Sequence, residues 1–223
     1  MSNDPSDTPD LLRRAAAGDG EALGGLFDRH RDRLRRMVQV RLDRRLQGRI
    51  DPSDVLQEAY LEFARSLADY LRNPQVPFFL WLRFLTGMKL HALHRHHLGT
   101  KARDAGREVS LHRGALPQAS SVALAHQLLG RHTTPSEAAV RAELQVRVQE
   151  ALNGMEALDR EVLALRHFEQ LSNAEAAQVL GIKESAASNR FIRALKRLKQ
   201  VLLSVPGLVD RPPGAGADAE GPP

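Results

Sequence analysis

The chain of 223 residues has no cysteine, which excludes disulfides, thiolate zinc sites and thiol nucleophiles. Aromatic side chains are scarce, at 4% with one tryptophan. Four of them, Phe78, Phe79, Trp81 and Phe84, nevertheless fall within seven positions. No run approaches the roughly 20 apolar residues that a spanning helix requires. The opening MSNDPSDTPD is polar and acidic and lacks the basic start and apolar middle of a secretory signal. These absences predict a cytoplasmic protein. Also missing are a Walker phosphate loop, a dinucleotide glycine fingerprint and a Ser-His-Asp arrangement. Nothing in the chain reads as an active site, so a non-enzymatic protein without a cofactor is expected.

What is present is helix. Apolar positions recur at steps of three and four, with no sustained period-two alternation and no hairpin turn. Asp10 is expected to cap a short first helix that ends at Gly18, and a longer helix follows over 21–46. On that longer helix Leu23, Leu26, Phe27, His30, Leu34, Met37, Val38 and Arg41 share one face. Asp51 and Pro52 form a start signal, a cap followed by a first-turn proline, for a helix reaching about Leu71. The prolines of RNPQVP then separate it from FFLWLRFLTGMKLHALHRHHLG. Weak patterning over 106–135 reads as a flexible linker holding a short helix near 122–129. Helical patterning resumes near Ser136, with Leu144, Val148, Ala151, Leu152 and Met155 on one stripe and Leu158, Val162, Leu165 and Phe168 on the next. The fold expected is all-α: two small helical bundle domains, 10–105 and 136–205, joined by that linker. The Pro/Gly-rich residues 206–223 are expected to be a disordered tail.

The strongest functional signal is LSNAEAAQVLGIKESAASNRFIRALKRL at 171–198. Ser172 and Glu175 have capping-box spacing, and Gly181 can take the left-handed turn between two helices. Small residues (Ala174, Ala176, Ala177, Ala187) permit a close crossing. The second helix has a stripe of Ala187, Phe191, Ala194, Leu195, Leu198 and Leu202. Lys183, Ser185, Ser188, Asn189, Arg190, Arg193, Lys196 and Arg197 occupy its opposite side. Such a helix suits the major groove, its first turns reading base edges and its basic end meeting phosphate. The chain holds 32 Lys and Arg against 27 Asp and Glu. So mild an excess means that polyanion binding must rest on where the charge lies.

Two features of the first half bear on function. DPSDVLQE at 51–58 is acidic at a helix start, where Asp51 and Asp54 complement the macrodipole; Gln57 and Glu58 lie beyond the first turn, free to meet a basic partner. The aromatic segment at 78–84 is followed by Arg83, Lys89 and Arg95. Aromatics beside cations suit single-stranded nucleic acid, where bases stack and phosphates are neutralised, although Trp81 reads mainly as core. His91 and His94 share a helix face, but Lys89 and Arg95 beside them repel cations, and no metal site is expected.

Taken together, these motifs resemble the RNA polymerase sigma factors of the sigma-70 family, and more narrowly the extracytoplasmic-function (ECF) group. The first half resembles the family's second region through AAAGDGEAL at 15–23, DPSDVLQEAYLEFARSL at 51–67 and FFLWLRFLTGMKL at 78–90. Residues 157–198 resemble its fourth region. The resemblance implies a factor that binds core RNA polymerase and promoter DNA and promotes transcription initiation. By the same resemblance, Asp54, Gln57 and Glu58 would meet the clamp helices of the largest polymerase subunit. The 183–197 residues named above would read the duplex minus-thirty-five element. The 72–77 loop with Arg83, Met88 and Lys89 would hold the melted minus-ten strand. An anti-sigma factor is a further partner that the resemblance admits, and a monomer is expected when the chain is free. The loop departs from the family pattern in its two prolines, and the next helix departs in Gly87 and Met88. Two other readings fit the residues alone: a stand-alone helix-turn-helix regulator that binds DNA as a dimer, and a protein-interaction module.

Overall fold

Three of the helix starts carry a side chain that accepts the unpaired N–H groups of the first turn. Asp19 accepts from the N–H groups of Glu21 and Ala22 at 2.9 and 3.1 Å. Asp51 accepts from Ser53 at 2.7 Å while Asp54 accepts from the Asp51 N–H at 3.2 Å, closing a capping box around Pro52. Ser172 and Glu175 close a second box. The computed structural model describes residues 8–98, 116–129 and 138–204. Among them the elements are α1 (Thr8–Ala16), α2 (Gly20–Arg41), α3 (Pro52–Arg72), α4 (Phe78–Leu98), α5 (Ser121–Leu129), α6 (Ala138–Asn153), α7 (Ala157–Leu163), α8 (Asn173–Leu180) and α9 (Glu184–Leu203). The expected tail at 206–223 lies outside the described residues.

Two boundaries differ from expectation. The first helix begins at Thr8, so Asp10 sits inside its first turn. The long second helix stops at Arg41, because Asp43 caps a separate 3-10 turn, Arg44–Leu46.

Helices α2, α3 and α4 bury Leu26, Leu34, Met37, Val55, Phe63, Leu82 and Leu90 in one cluster. Trp81 belongs to this core: it is 8% exposed and stacks on Tyr70 at 4.3 Å. The Tyr70 hydroxyl donates to the Val76 carbonyl at 2.9 Å, which pins the 73–77 loop to the end of α3. The second half packs α6, α7 and α9 around Leu144, Val148, Leu152, Leu163, Phe168 and Leu198.

The two halves are not held apart. Leu165, Leu171 and Ala176 of the second half lie in the first cluster, and Val40 of α2 lies in the second. This corrects the expectation of a flexible linker over 106–135 as far as the described residues go. Residues 116–120 run between the halves, where the Ser120 N–H donates to the Val40 carbonyl at 2.8 Å. Helix α5 then buries Ala123, Leu124 and Ala125 against α2 and α6. A segment weak in periodicity thus becomes ordered by what it lies between.

Gly87 permits one of these contacts. A Cβ placed on it would overlap the Leu116 side chain, at its branch point as well as its tips. Gly87→Ala must therefore displace the Leu116 side chain from its place against α4. A loss of about 1–3 kcal/mol is expected, measured as a lower urea midpoint with helicity retained.

His30 of α2 lies against the rings of Phe78 and Phe79 at 5.6 and 5.2 Å, and its buried Nε2 has no hydrogen-bond partner. Burial, helped by the charges of Arg33 and Arg29, holds its pKa down to about 4. The fold therefore favours the neutral ring. That contribution is complete above an unfolded pKa of about 6.5 and is lost as pH falls towards 4. In His30→Leu, the drop in unfolding free energy between pH 6.5 and 4 should be smaller than in the native chain, by up to about 3 kcal/mol.

Candidate nucleic-acid interface

Helix α8 ends at Gly181, whose φ of 62° gives the left-handed turn into α9. The Asn173 side-chain amide donates to the Glu184 carbonyl at 2.9 Å, tying the two helix starts together. Ala176, Ala177 and Ala187 are buried at the crossing, while Ala174 is exposed and takes no part. Along α9, Ala187, Ala194 and Leu198 are buried, with Phe191 and Leu202 half-buried. Leu195, expected in that stripe, is instead 41% exposed. It stands about 100° round the helix from Ala194, outside the seam that Ala194 and Leu198 define.

The outward side of α9 presents Lys183, Ser185, Asn189, Arg193, Lys196 and Arg197, with Ser188 and Arg190 half-buried. Two of these have partners within the chain. Arg190 Nη1 donates to Glu156 at 2.8 Å and to Asp159 at 2.6 Å. Arg193 Nε lies 2.8 Å from the other Asp159 oxygen. Asp159 is 4% exposed, so α7 meets α9 through a buried carboxylate that two guanidinium groups satisfy. Glu156 stands at the N-cap of α7 without capping it. Its carboxyl is held below the ordinary range by the Arg190 hydrogen bond, then by the charges of Arg190 and Arg193. Sequence reasoning missed both acids, although their spacing of three at a helix start, opposite two arginines, was a readable signal. Arg190→Ala leaves Asp159 with one partner. It should lower stability by roughly 1–3 kcal/mol, read by thermal unfolding, whereas Asn189→Ala should leave stability unchanged.

On α3, Asp54, Gln57 and Glu58 are all exposed. The α4 residues are not gathered on one surface. Met88 is 37% exposed, and Lys89 Nζ pairs with Glu62 at 2.7 Å. Arg83 is 5% exposed and points the other way, about 140° round the helix from Met88. Its Nε donates to Glu169 at 2.5 Å.

Glu169 is the centre of a network that the sequence did not reveal. It is fully buried and also accepts from Arg41 Nε and Nη2 at 2.9 and 2.5 Å. Arg41 continues to the Glu161 carboxylate and to the Pro117 carbonyl at 2.8 Å. Burial alone would raise the Glu169 pKa, but Arg41 and Arg83 outweigh it and hold the group at about 2. Beside it the chain makes a π-helical turn, Ala164–Phe168, and Gln170 adopts a φ of 56°, a conformation costly for a side-chain-bearing residue. Two arginines of α2 hold this turn. Arg33 donates to the Glu169 and Gln170 carbonyls at 3.1 and 2.9 Å. Arg36 donates to the Phe168 carbonyl at 2.9 Å and to Gln170 Oε1 at 2.7 Å.

Among the described residues no group of three or more His, Cys, Asp or Glu side chains could hold a metal ion. His94 Nε2 accepts the Asp43 N–H at 3.2 Å instead. No described helix is long and apolar enough to cross a membrane.

Comparison with known proteins agrees with this geometry. Residues 145–198 match the family model "Sigma-70, region 4", a span that contains α7, α8 and most of α9. The ECF RNA polymerase sigma factor SigD of Mycobacterium tuberculosis is 29% identical over 194 residues, covering 87% of this chain and 83% of its own. The RNA polymerase sigma factor NccH of Alcaligenes xylosoxydans xylosoxydans is 29% identical, covering 90% of this chain and 97% of its own. Among solved structures, CnrH in complex with the cytosolic domain of CnrY is similar in fold. Its TM-score is 0.50 at 24% identity, over 86% of this chain and 94% of that one.

Proposed function

We propose that this chain, a member of the extracytoplasmic-function group of the sigma-70 family, is a promoter-specificity subunit of RNA polymerase acting in the cytoplasm. It binds the core enzyme, recognises promoter DNA and promotes initiation, without catalytic chemistry of its own. The observation that carries this reading is the match to sigma-70 region 4 over a helix-turn-helix whose basic, hydrogen-bonding face is open to solvent.

On this reading α9 lies in the major groove of the upstream element. Ser185, Ser188 and Asn189 meet base edges, while Lys183, Lys196 and Arg197 meet phosphate. Arg193, 56% exposed at its side chain, reaches the duplex from the pair that it forms with Asp159. Arg190 serves by setting the angle of α9 against α7. Asp54, Gln57 and Glu58 dock on the polymerase clamp, and the 72–77 loop with Met88 and Lys89 lies towards the melted strand. A single small helix-turn-helix binds duplex weakly, on the order of 10⁻⁴ to 10⁻⁶ M without specific contacts. Placing two weak sites on one polymerase raises effective affinity, by about 10²–10⁴-fold. The reading therefore requires that tight promoter binding depend on core enzyme.

Purified protein added to sigma-free core polymerase should start transcription at defined sites on genomic DNA. Asn189→Ala and Lys196→Ala should each weaken promoter binding, by about 1–3 kcal/mol for the base contact and less for the phosphate contact. The triple change Asp54→Ala, Gln57→Ala and Glu58→Ala should lower affinity for core enzyme in a pull-down titration. A chain that binds a palindromic duplex tightly as a dimer, and never associates with core, would overturn the reading.

A further inference from the structure

Arg190 and Arg193 both reach the start of α7, yet they are held unequally. Asp159, 4% exposed, takes Arg193 through Nε at 2.8 Å and Nη2 at 3.3 Å. Those two donors form one side of the guanidinium plane. An exposed ion pair usually restrains an arginine little. Here the carboxylate is buried and fixed by α7, so the guanidinium takes its orientation from a rigid neighbour. The other end of the group, Nη1 with the second N–H of Nη2, is left for another acceptor. Arg193 stands one turn beyond Asn189 and one turn before Arg197, all three on the exposed side of α9. Glu156 is placed to close that end. Its Oε1 lies 3.9 Å from Arg193 Nη1, beyond hydrogen-bond length, while its Oε2 accepts from Arg190 Nη1 at 2.8 Å. Arg190 thus draws Glu156 aside and leaves the end of Arg193 open.

We infer that Asp159 and Arg190 are positioning residues for base recognition. Asp159 aims the Nη1–Nη2 end of Arg193 at a guanine of the upstream element, and Arg190 keeps Glu156 away from that end. The inference rests on the promoter reading and adds which base Arg193 selects and what aims it. The geometry chooses guanine. Its O6 and N7 stand side by side in the major groove as two acceptors, which match the two parallel N–H groups at a guanidinium end. Adenine sets a donor beside its N7, and cytosine shows a donor alone, so neither accepts both. A side chain already fixed in the free chain loses little freedom on binding, so its hydrogen bonds are spent on discrimination. A phosphate would accept the same fork, but on any sequence.

The test selects duplexes from a randomised pool with the full-length chain assembled on core polymerase, and reads base preference at every position. The native chain should enrich a guanine at one position that Arg193→Lys, which keeps the charge and loses the fork, makes indifferent. On the selected duplex, Asp159→Asn should cut the preference for guanine over adenine at that position by at least about fivefold, the lower end for a bidentate pair. Preferences at other positions and the salt slope of binding should stay as in the native chain. Arg190→Gln should show the same loss, and adding Glu156→Gln should restore the preference. A purely structural role for these residues predicts weaker binding to every sequence and no restoration. Should Asp159→Asn fail to assemble with core, the Arg190→Gln chain with and without Glu156→Gln decides. The inference is overturned if Asp159→Asn leaves the guanine preference intact, if the loss spreads evenly over all positions, or if Glu156→Gln restores nothing. It is also overturned if Arg193→Lys alters no base preference, which marks a phosphate contact. A native assembly that enriches no duplex defeats the promoter reading and the inference with it. Enrichment that is indifferent to Asp159 and Arg190 defeats the inference alone.

Discussion

The position of the second half relative to the first depends on one carboxylate. Glu169 has no access to solvent, and a lone buried carboxylate would cost several kcal/mol. It is tolerable because Arg41 from α2 and Arg83 from α4 reach it together, and because Arg41 spends its remaining donors on Glu161 and Pro117. Such a group of ions adds little net stability compared with well-packed apolar residues, yet removing one member leaves the others uncompensated. Its consequence is registration. Apolar clusters tolerate sliding, whereas a carboxylate between two guanidinium groups admits few geometries. The 168–171 turn is therefore fixed against α2 to within a hydrogen bond.

That registration explains features of α4 that a solvent-facing helix would not need. One side of α4 packs on α3 through Trp81 and Tyr70, and Arg83 and Gly87 on the opposite side are also buried. The helix is covered on two sides, which accounts for its nearly uniform apolar start and for the smallest possible side chain at 87, where Leu116 crosses. The left-handed Gln170 follows the same logic. Its backbone carbonyl and side-chain oxygen are both claimed by arginines of α2, so contacts across the halves hold a conformation that the local sequence disfavours.

Local codes in the sequence were legible and global ones were not. Asp51 with Pro52 and Ser172 with Glu175 announced their helices, because capping chemistry is complete within four residues. The helix-turn-helix was readable for the same reason, with Gly181 and the alanines all lying within one short stretch. Trp81 could be assigned to the core from its helical register alone. The docking of the halves was invisible because Arg41 and Glu169 stand 128 positions apart, and a charged residue on an otherwise apolar face reads as an interruption. Arg41 was placed on the buried face of its helix by periodicity, but nothing local says which carboxylate meets it. Arg83 misled in a related way: an arginine among aromatics suggested a strand contact, whereas its side of α4 faces inward. The short helix near 122–129 was legible, as α5 shows, but its packing between the halves was not, since that packing is set by its neighbours rather than by its own pattern.

The charged faces of the two halves are held differently for physical reasons. The α9 face needs nothing from the first half to be presented, because its stripe closes on α6, α7 and α8. The α2 arginines Arg33, Arg36 and Arg41 are committed to the 168–170 turn while the halves are docked. Parting the halves would give up the shared apolar clusters as well as the ion network, so the docking rests on both, and each half keeps a core of its own.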